Sequence, residues 1–186
     1  MAYGKKKMKR KRPPPSEPAP FSIFVDADAC PVKKEVYRVA IRYNALVYLV
    51  SNQFMRAPAE EGLRVKVITV NEGADVADKW IVDHIKTYDI CVTADIPLAA
   101  KCIDEQAFVL SPRGREWTAD TVGAALAKRD LMTSLREQDW GGLELPTSGP
   151  PPMNDRARSH FLNAIDRLIQ AAKKAHLLKK QPKEQS

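Results

Sequence analysis

The chain has 186 residues, a formal net charge of +7 and three cysteines. That length suits one domain with a buried core and ragged ends. An odd cysteine count without a C-x-x-C pair excludes a disulfide framework and a zinc site of the usual spacing, and it suits a reducing compartment. The charge is unevenly placed. Lys5 to Arg12 hold seven basic side chains and no acid, and Lys173, Lys174, Lys179, Lys180 and Lys183 add five near the other end. Between Pro13 and Gln170 there are 18 basic and 22 acidic residues, a net of −4. The domain body is therefore mildly acidic, and the high pI does not describe a basic nucleic-acid-binding face on it.

In chain order, residues 1–20 are basic, then proline-rich, and lack core-forming residues. They read as a disordered tail that can hold polyanions loosely through counterion release. The tail has no apolar segment of the secretory kind, and no run in the chain approaches the ~20 apolar residues that span a bilayer. A cytoplasmic protein with no membrane partner is expected. The domain is expected over residues 21–172, with a Lys-rich tail at 173–186. Phe21 to Val25 is short, β-branched and aromatic, and predicts a buried strand. Val32 to Tyr43 predicts a helix with Val32, Val36, Val39, Ala40 and Tyr43 on one face. Ala45 to Ser51 is a second strand, Asn52 to Gly62 is irregular, and Val65 to Val70 is a third strand. Asp75 to Ile85 predicts a helix, Ile90 to Ala94 a fourth strand, and Pro97 to Asp104 a short helix opened by proline. Phe108 to Leu110 is a fifth strand and Thr118 to about Gln138 a helix. Gly141 to Pro152 reads as a linker, and Asp155 to about Leu178 as a long amphipathic helix. The alternation predicts an α/β fold: a Rossmann-like three-layer sandwich with about five parallel strands and a C-terminal helix.

The acids fall at particular places on this map. Asp26 and Asp28 end the first strand in Asp-Ala-Asp-Ala-Cys-Pro. Asp75 and Asp78 follow the third strand, three residues apart, so both can face one way on a first helical turn. Asp95 follows the fourth. Ligands of open parallel sheets bind beyond the carboxyl ends of the strands, and in a parallel sheet those ends share one rim. Aspartates can cap helices there, and Asp28, Asp75 and Asp95 each stand where a cap would. Capping does not explain why so many strand ends are acidic. A hard divalent cation, Mg²⁺ or Mn²⁺, does. Other polar residues border the rim: Lys33 in the first helix, Asn52 and Gln53 after the second strand, and Arg113 and Arg115 after the fifth. Lysine and guanidinium groups there suit phosphate oxygens. His84, His160 and His176 show no ligand spacing, and no glycine-rich phosphate loop occurs.

Asp26-Ala-Asp-Ala-Cys-Pro-Val-Lys33, Ser51-Asn-Gln53, Gly73-Ala-Asp-Val-Ala-Asp78, Thr93-Ala-Asp-Ile-Pro-Leu-Ala99 and Ser111-Pro-Arg-Gly114 together resemble the YaiI/YqxD family of bacterial proteins. Gly149-Pro150, Asp155-Arg156 and the Phe161 to Leu168 helix fit it too. The match covers about Phe21 to Ile169. That family is similar to the PIN-like and NYN-like metal-dependent nucleases. The resemblance implies a PIN-like domain in which Asp26, Asp75 and Asp95 hold Mg²⁺ or Mn²⁺, with weaker counterparts at Asp28 and Asp78. The Cys30-Pro31 pair lies outside the general nuclease pattern.

The leading expectation is a metal-dependent nuclease acting on RNA, with Asp26, Asp28, Asp75, Asp78 and Asp95 as its catalytic acids. Lys33, Asn52, Gln53, Arg113 and Arg115 are its candidate phosphate contacts. Asp-x-Asp also closes the first strand of haloacid-dehalogenase-like phosphatases. No cap-sized insertion follows that strand here, and Gly73 to Asp78 would be unexplained. A third reading is a nucleic-acid-binding or assembly module without turnover. Oligomeric state is not legible.

Overall fold

The alternation of strands and helices is present in the computed structural model, which describes residues 17–28, 30–71, 73, 75–137 and 152–180. Strands β1 (Ser22–Asp26), β2 (Leu46–Ser51), β3 (Arg64–Thr69), β4 (Ile90–Val92) and β5 (Phe108–Leu110) run parallel. A two-residue strand, β6 (Glu116–Trp117), pairs antiparallel with β5, giving the order β3-β2-β1-β4-β5-β6. The expected five parallel strands are there; β6 is an addition. Its two residues are too few to show a period, and a tight turn makes it. Gly114 at φ 81° donates its N–H to the Ser111 carbonyl at 2.9 Å, and Ser111 N–H donates to the Arg115 carbonyl at 2.8 Å.

Helices α1 (Lys33–Tyr43), α2 (Val76–His84), α3 (Ile96–Asp104), α4 (Ala119–Glu137) and α5 (Asp155–Lys180) complete the three layers. Strand alternation divides the core. Ile23, Val25, Val47, Leu49, Ile90, Val92 and Leu110 meet Val36, Val39 and Ala40 of α1 and Phe161, Ile165 and Ile169 of α5. Phe24, Val50, Cys91 and Val109 turn to the other face, against Ile81 of α2, Leu98, Ala99 and Cys102 of α3, and Val122 of α4. Successive strand residues point to opposite faces, so a strand covered on both sides must be apolar throughout. That explains the unbroken run Ile23-Phe24-Val25, all at 2% exposure or less.

Polar contacts tie α5 to α1. The Arg158 guanidinium donates to both oxygens of the buried Glu35 carboxylate at 3.0 and 3.1 Å. Tyr43 donates its hydroxyl to Asp166 at 2.7 Å. Ala19 N–H donates to the Asn44 carbonyl at 3.0 Å, and α5 continues to Lys180, with His176 edge-on to Tyr88. Residues 141–151 of the expected linker, residues 1–16 and residues 181–186 lie outside the described residues. Among the described residues no helix is long and apolar enough to cross a membrane.

From β1 the chain moves outward through β2 to β3, then returns to add β4 on the other side of β1. The strand order reverses between β1 and β4. That reversal opens a crevice at their carboxyl ends, where ligands of open α/β sheets bind.

Candidate active site

Asp26 is the last residue of β1 and lies beside Val50 of β2. Thr93 follows β4 directly and is buried. Its hydroxyl donates to Asp26 Oδ2 at 3.1 Å and accepts the Asp95 N–H at 3.0 Å. One threonine thus links the two acids that flank the reversal. Asp95 Oδ1 also accepts the Leu98 N–H at 2.7 Å and so caps α3, whose first turn contains Pro97. The capping expected for Asp95 is present, and it occupies one of its two carboxylate oxygens.

Asp75 occupies the cap position of α2 but makes no side-chain cap bond. Its φ of 64° is left-handed, a conformation uncommon for residues other than glycine. Asp78, in the first turn of the same helix, is half-buried. Asp28 is engaged elsewhere. It accepts from the Ser51 hydroxyl in a short bond and from the Asn52 N–H at 2.8 Å, so both oxygens clamp the end of β2. Asn52 donates its amide to the Gly73 carbonyl at 3.4 Å, while its Oδ1 is buried with no hydrogen-bond partner.

These residues surround one open cleft of about 450 Å³, lined by Asp26, Asp28, Asn52, Asp75, Asp78 and Asp95 with Ala77 and Ala94. All five sequence-predicted acids therefore converge on it. The phosphate candidates do so only in part. Asn52 lines the cleft. Lys33 Nζ donates to the Ala27 carbonyl at 2.6 Å, between the first two aspartates in sequence. Gln53 is exposed and outside the cleft lining, its N–H donating to Ser51 Oγ at 3.0 Å. Arg113 and Arg115 also lie outside it. Their turn meets α5, where His160 Nδ1 hydrogen-bonds the Arg113 carbonyl at 2.9 Å, and the Arg115 guanidinium sits 4.2 Å over the Trp117 ring.

The cleft is electrostatically frustrated. Burial lifts the Asp26 pKa above the usual carboxylate range; the Thr93 hydroxyl opposes this, and the charges of Asp28 and Asp95 add to it. Burial, followed by the charges of Asp95, Asp26 and Asp75, pushes Asp78 up to about 6, with Lys101 opposing. Clustered carboxylates in one partly dry cleft raise each other's proton affinity, and a cation relieves the same repulsion. Burial pushes the Cys30 thiol up to about 11, which disfavours its thiolate form.

The donor set fits Mg²⁺ or Mn²⁺ in kind: hard anionic oxygens, plus the orphaned Asn52 oxygen. It does not form a closed cage. Among the described residues no group of three acidic, histidine or cysteine side chains is close enough to hold an ion by itself. Mg²⁺ characteristically keeps several waters and binds through one or two carboxylates plus substrate phosphate, so an open acidic cleft suits it better than a cage would.

The residues that sequence reasoning left without a role are Thr93 and Ser51. Both are buried hydroxyls at strand ends, two residues before or directly before rim polar groups. That placement was the available signal.

Fold and cleft together define a Rossmann-like α/β protein with an acidic site at the sheet's reversal point. The chain belongs to the YaiI/YqxD family: the family model described as "Uncharacterized BCR, YaiI/YqxD family" matches residues 24–171. A UPF0178 protein of Azorhizobium caulinodans is 45% identical over 160 residues, covering 86% of this chain and 96% of that one. A UPF0178 protein of Paramagnetospirillum magneticum is 44% identical over 152 residues, 82% and 96% of the two chains. One from Rhodospirillum centenum is 45% identical over 157 residues, 83% and 98%. No solved structure matches the chain.

Proposed function

We propose that this protein is a metal-dependent nuclease of the PIN-like kind that hydrolyses phosphodiester bonds in RNA. The observation that carries the reading is the convergence of Asp26, Asp75, Asp78 and Asp95 on the cleft between β1 and β4, where their mutual repulsion calls for a cation. One or two of Asp26, Asp75 and Asp95 would hold the ion, with waters and the substrate phosphate completing its shell, and Asn52 Oδ1 is a further oxygen donor on the cleft lining. A bound Mg²⁺ or Mn²⁺ would supply charge neutralisation to the phosphate oxygens and lower the pKa of a water.

The chain's own residues do the remainder. Thr93 holds Asp26 and the start of α3 in fixed relation. Of the two acids left to orient a water, Asp28 has both oxygens committed to the end of β2, so Asp78 takes that role. A carboxyl with a raised pKa is a better proton acceptor than an ordinary one. Lys33, fastened to the Ala27 carbonyl, puts a positive charge at the rim for the incoming strand. Phe54, 83% exposed and two residues beyond Asn52, offers a face for an unpaired base.

The test is cleavage of labelled single-stranded RNA over a Mn²⁺ titration, with melting curves alongside. D26N is expected to abolish cleavage and remain folded, because Asn keeps the shape and removes one anionic ligand. E105Q, at the far end of α3, is expected to cleave normally. Undiminished metal-dependent cleavage by D26N would remove this mechanism. The exposed Phe54 ring also suits a second reading, a nucleic-acid-binding module without turnover. Metal-dependent RNA binding without turnover by the unmodified protein would select it.

A further inference from the structure

A second concavity, of about 370 Å³, adjoins the acidic cleft between α2 and α3. Its walls are Asp75, Val76, Lys79, Val82, Asp83 and Lys101, so Asp75 belongs to both cavities. The size falls within the roughly 300–1,000 Å³ of small-molecule pockets. Its chemistry differs from that of the cleft. Val76 and Val82 give it an aliphatic floor, and the lysine stems extend that floor, since such stems lie along apolar surface with their charge in water. Lys79 and Asp83 are paired along α2 at 2.8 Å. Lys101, on α3, lines the pocket as well, and its charge opposes the rise of Asp78 in the adjoining cleft. The pocket therefore combines aliphatic lining, two lysines and a neutral ion pair, and it meets the anionic cleft at Asp75.

We propose that this pocket is a nucleoside subsite: a base lies on Val76 and Val82, with the attached phosphate at the boundary marked by Lys101 and Asp75. The inference rests on the proposed nuclease reading and adds that the substrate is recognised through a nucleoside, not through its phosphodiester alone. An aliphatic floor without directional donors accepts any base by its face. The subsite thus selects nucleotides without selecting sequence.

The test compares esters that share one leaving group, using the full chain with Mn²⁺. Thymidine 5′- and 3′-(p-nitrophenyl) phosphates carry a nucleoside; methyl p-nitrophenyl phosphate does not. All three release p-nitrophenol on hydrolysis. The unmodified protein is expected to prefer one thymidine ester in kcat/KM by about tenfold or more, the scale of a small apolar contact in a pocket. V82E, which puts a carboxylate into the floor, is expected to lose that preference. V82T serves if V82E melts early. Independently, uridine 5′-monophosphate with Mg²⁺ should shift the Val76 and Val82 methyl resonances of the unmodified protein. Equal rates on nucleoside and methyl esters, or nucleotide-induced shifts confined to other residues, would overturn the subsite and leave the nuclease reading standing. Hydrolysis of none of the esters, and of no RNA, would remove the nuclease reading and the subsite with it.

Discussion

Thr93 serves two acids with one hydroxyl, donating to Asp26 and accepting from the backbone of Asp95. Both bonds lie in a partly buried setting, where an unmade hydrogen bond costs about 1–3 kcal/mol. T93V keeps the shape and removes both. It should lower stability by about that amount in denaturant melts, and it should raise the Mn²⁺ concentration needed for half-maximal cleavage. T93S, which keeps the hydroxyl, should restore most of the metal dependence. Phe54 is the opposite kind of residue, since its ring is 83% exposed. F54A should leave the melting temperature unchanged within error. It should weaken single-stranded RNA binding by about tenfold, as loss of a stacked base predicts. An unchanged RNA affinity would assign Phe54 no part in binding.

The two aspartates that begin α2 and α3 occupy the same formal position and do different things. Asp95 has extended backbone and caps α3 through Oδ1; Asp75 has left-handed backbone and caps nothing. The difference lies in the preceding loops. Thr93 holds the Asp95 backbone, whereas Asp75 follows Gly73, whose carbonyl is held by Asn52 and where a side chain would meet Val76 at 2.9 Å. Substitutions separate capping from charge at Asp95. Asn caps nearly as well as Asp, so D95N should melt close to the unmodified protein, and D95A should lose about 1 kcal/mol. Both remove the carboxylate, so both should lose Mn²⁺-dependent cleavage. Retained cleavage in D95N would show that Asp95 is a cap alone.

At the scale of the molecule, the site and the fold's stability are coupled through charge. Asp78 binds its proton more tightly in the folded chain, at about 6, than at its ordinary value of 3.8. Between those values the folded state holds more protons than the unfolded one, so stability falls as pH rises through the window and levels off above it. Without metal, D78N should therefore melt higher than the unmodified protein at pH 7, and the gap should narrow towards pH 4. Mn²⁺ at pH 7 should narrow it as well, by raising the unmodified protein. Melting curves of the two proteins from pH 4 to 8, with and without Mn²⁺, check the sign. A gap that widens on acidification would contradict it. The rest of the framework is set apart from this balance: α5 is fastened to α1 by Glu35–Arg158 and Tyr43–Asp166, on the sheet face opposite α2 and α3.

Strands, helices and acidic strand ends were legible in the chain because each is local. Ile23-Phe24-Val25 is apolar at every position, α5 repeats its apolar residues at helical spacing, and Asp26, Asp78 and Asp95 follow or adjoin such segments directly. These features depend on periods of two or 3.6 residues and need no partner. The rim placement of the acids also followed, since parallel strands put their carboxyl ends together. What no local pattern held was direction. Asp28 resembled Asp26 in sequence, yet it turns to Ser51 and Asn52 across 23 and 24 residues of chain. Arg113 and Arg115 follow a strand as the acids do, yet a tight turn, β6 and His160 of α5 carry them out of the cleft. The reversal between β1 and β4, and the pocket between α2 and α3, arise only from the order in which strands pair. Packing between segments far apart in sequence decides that order, so only the tertiary structure shows which carboxylates face one another.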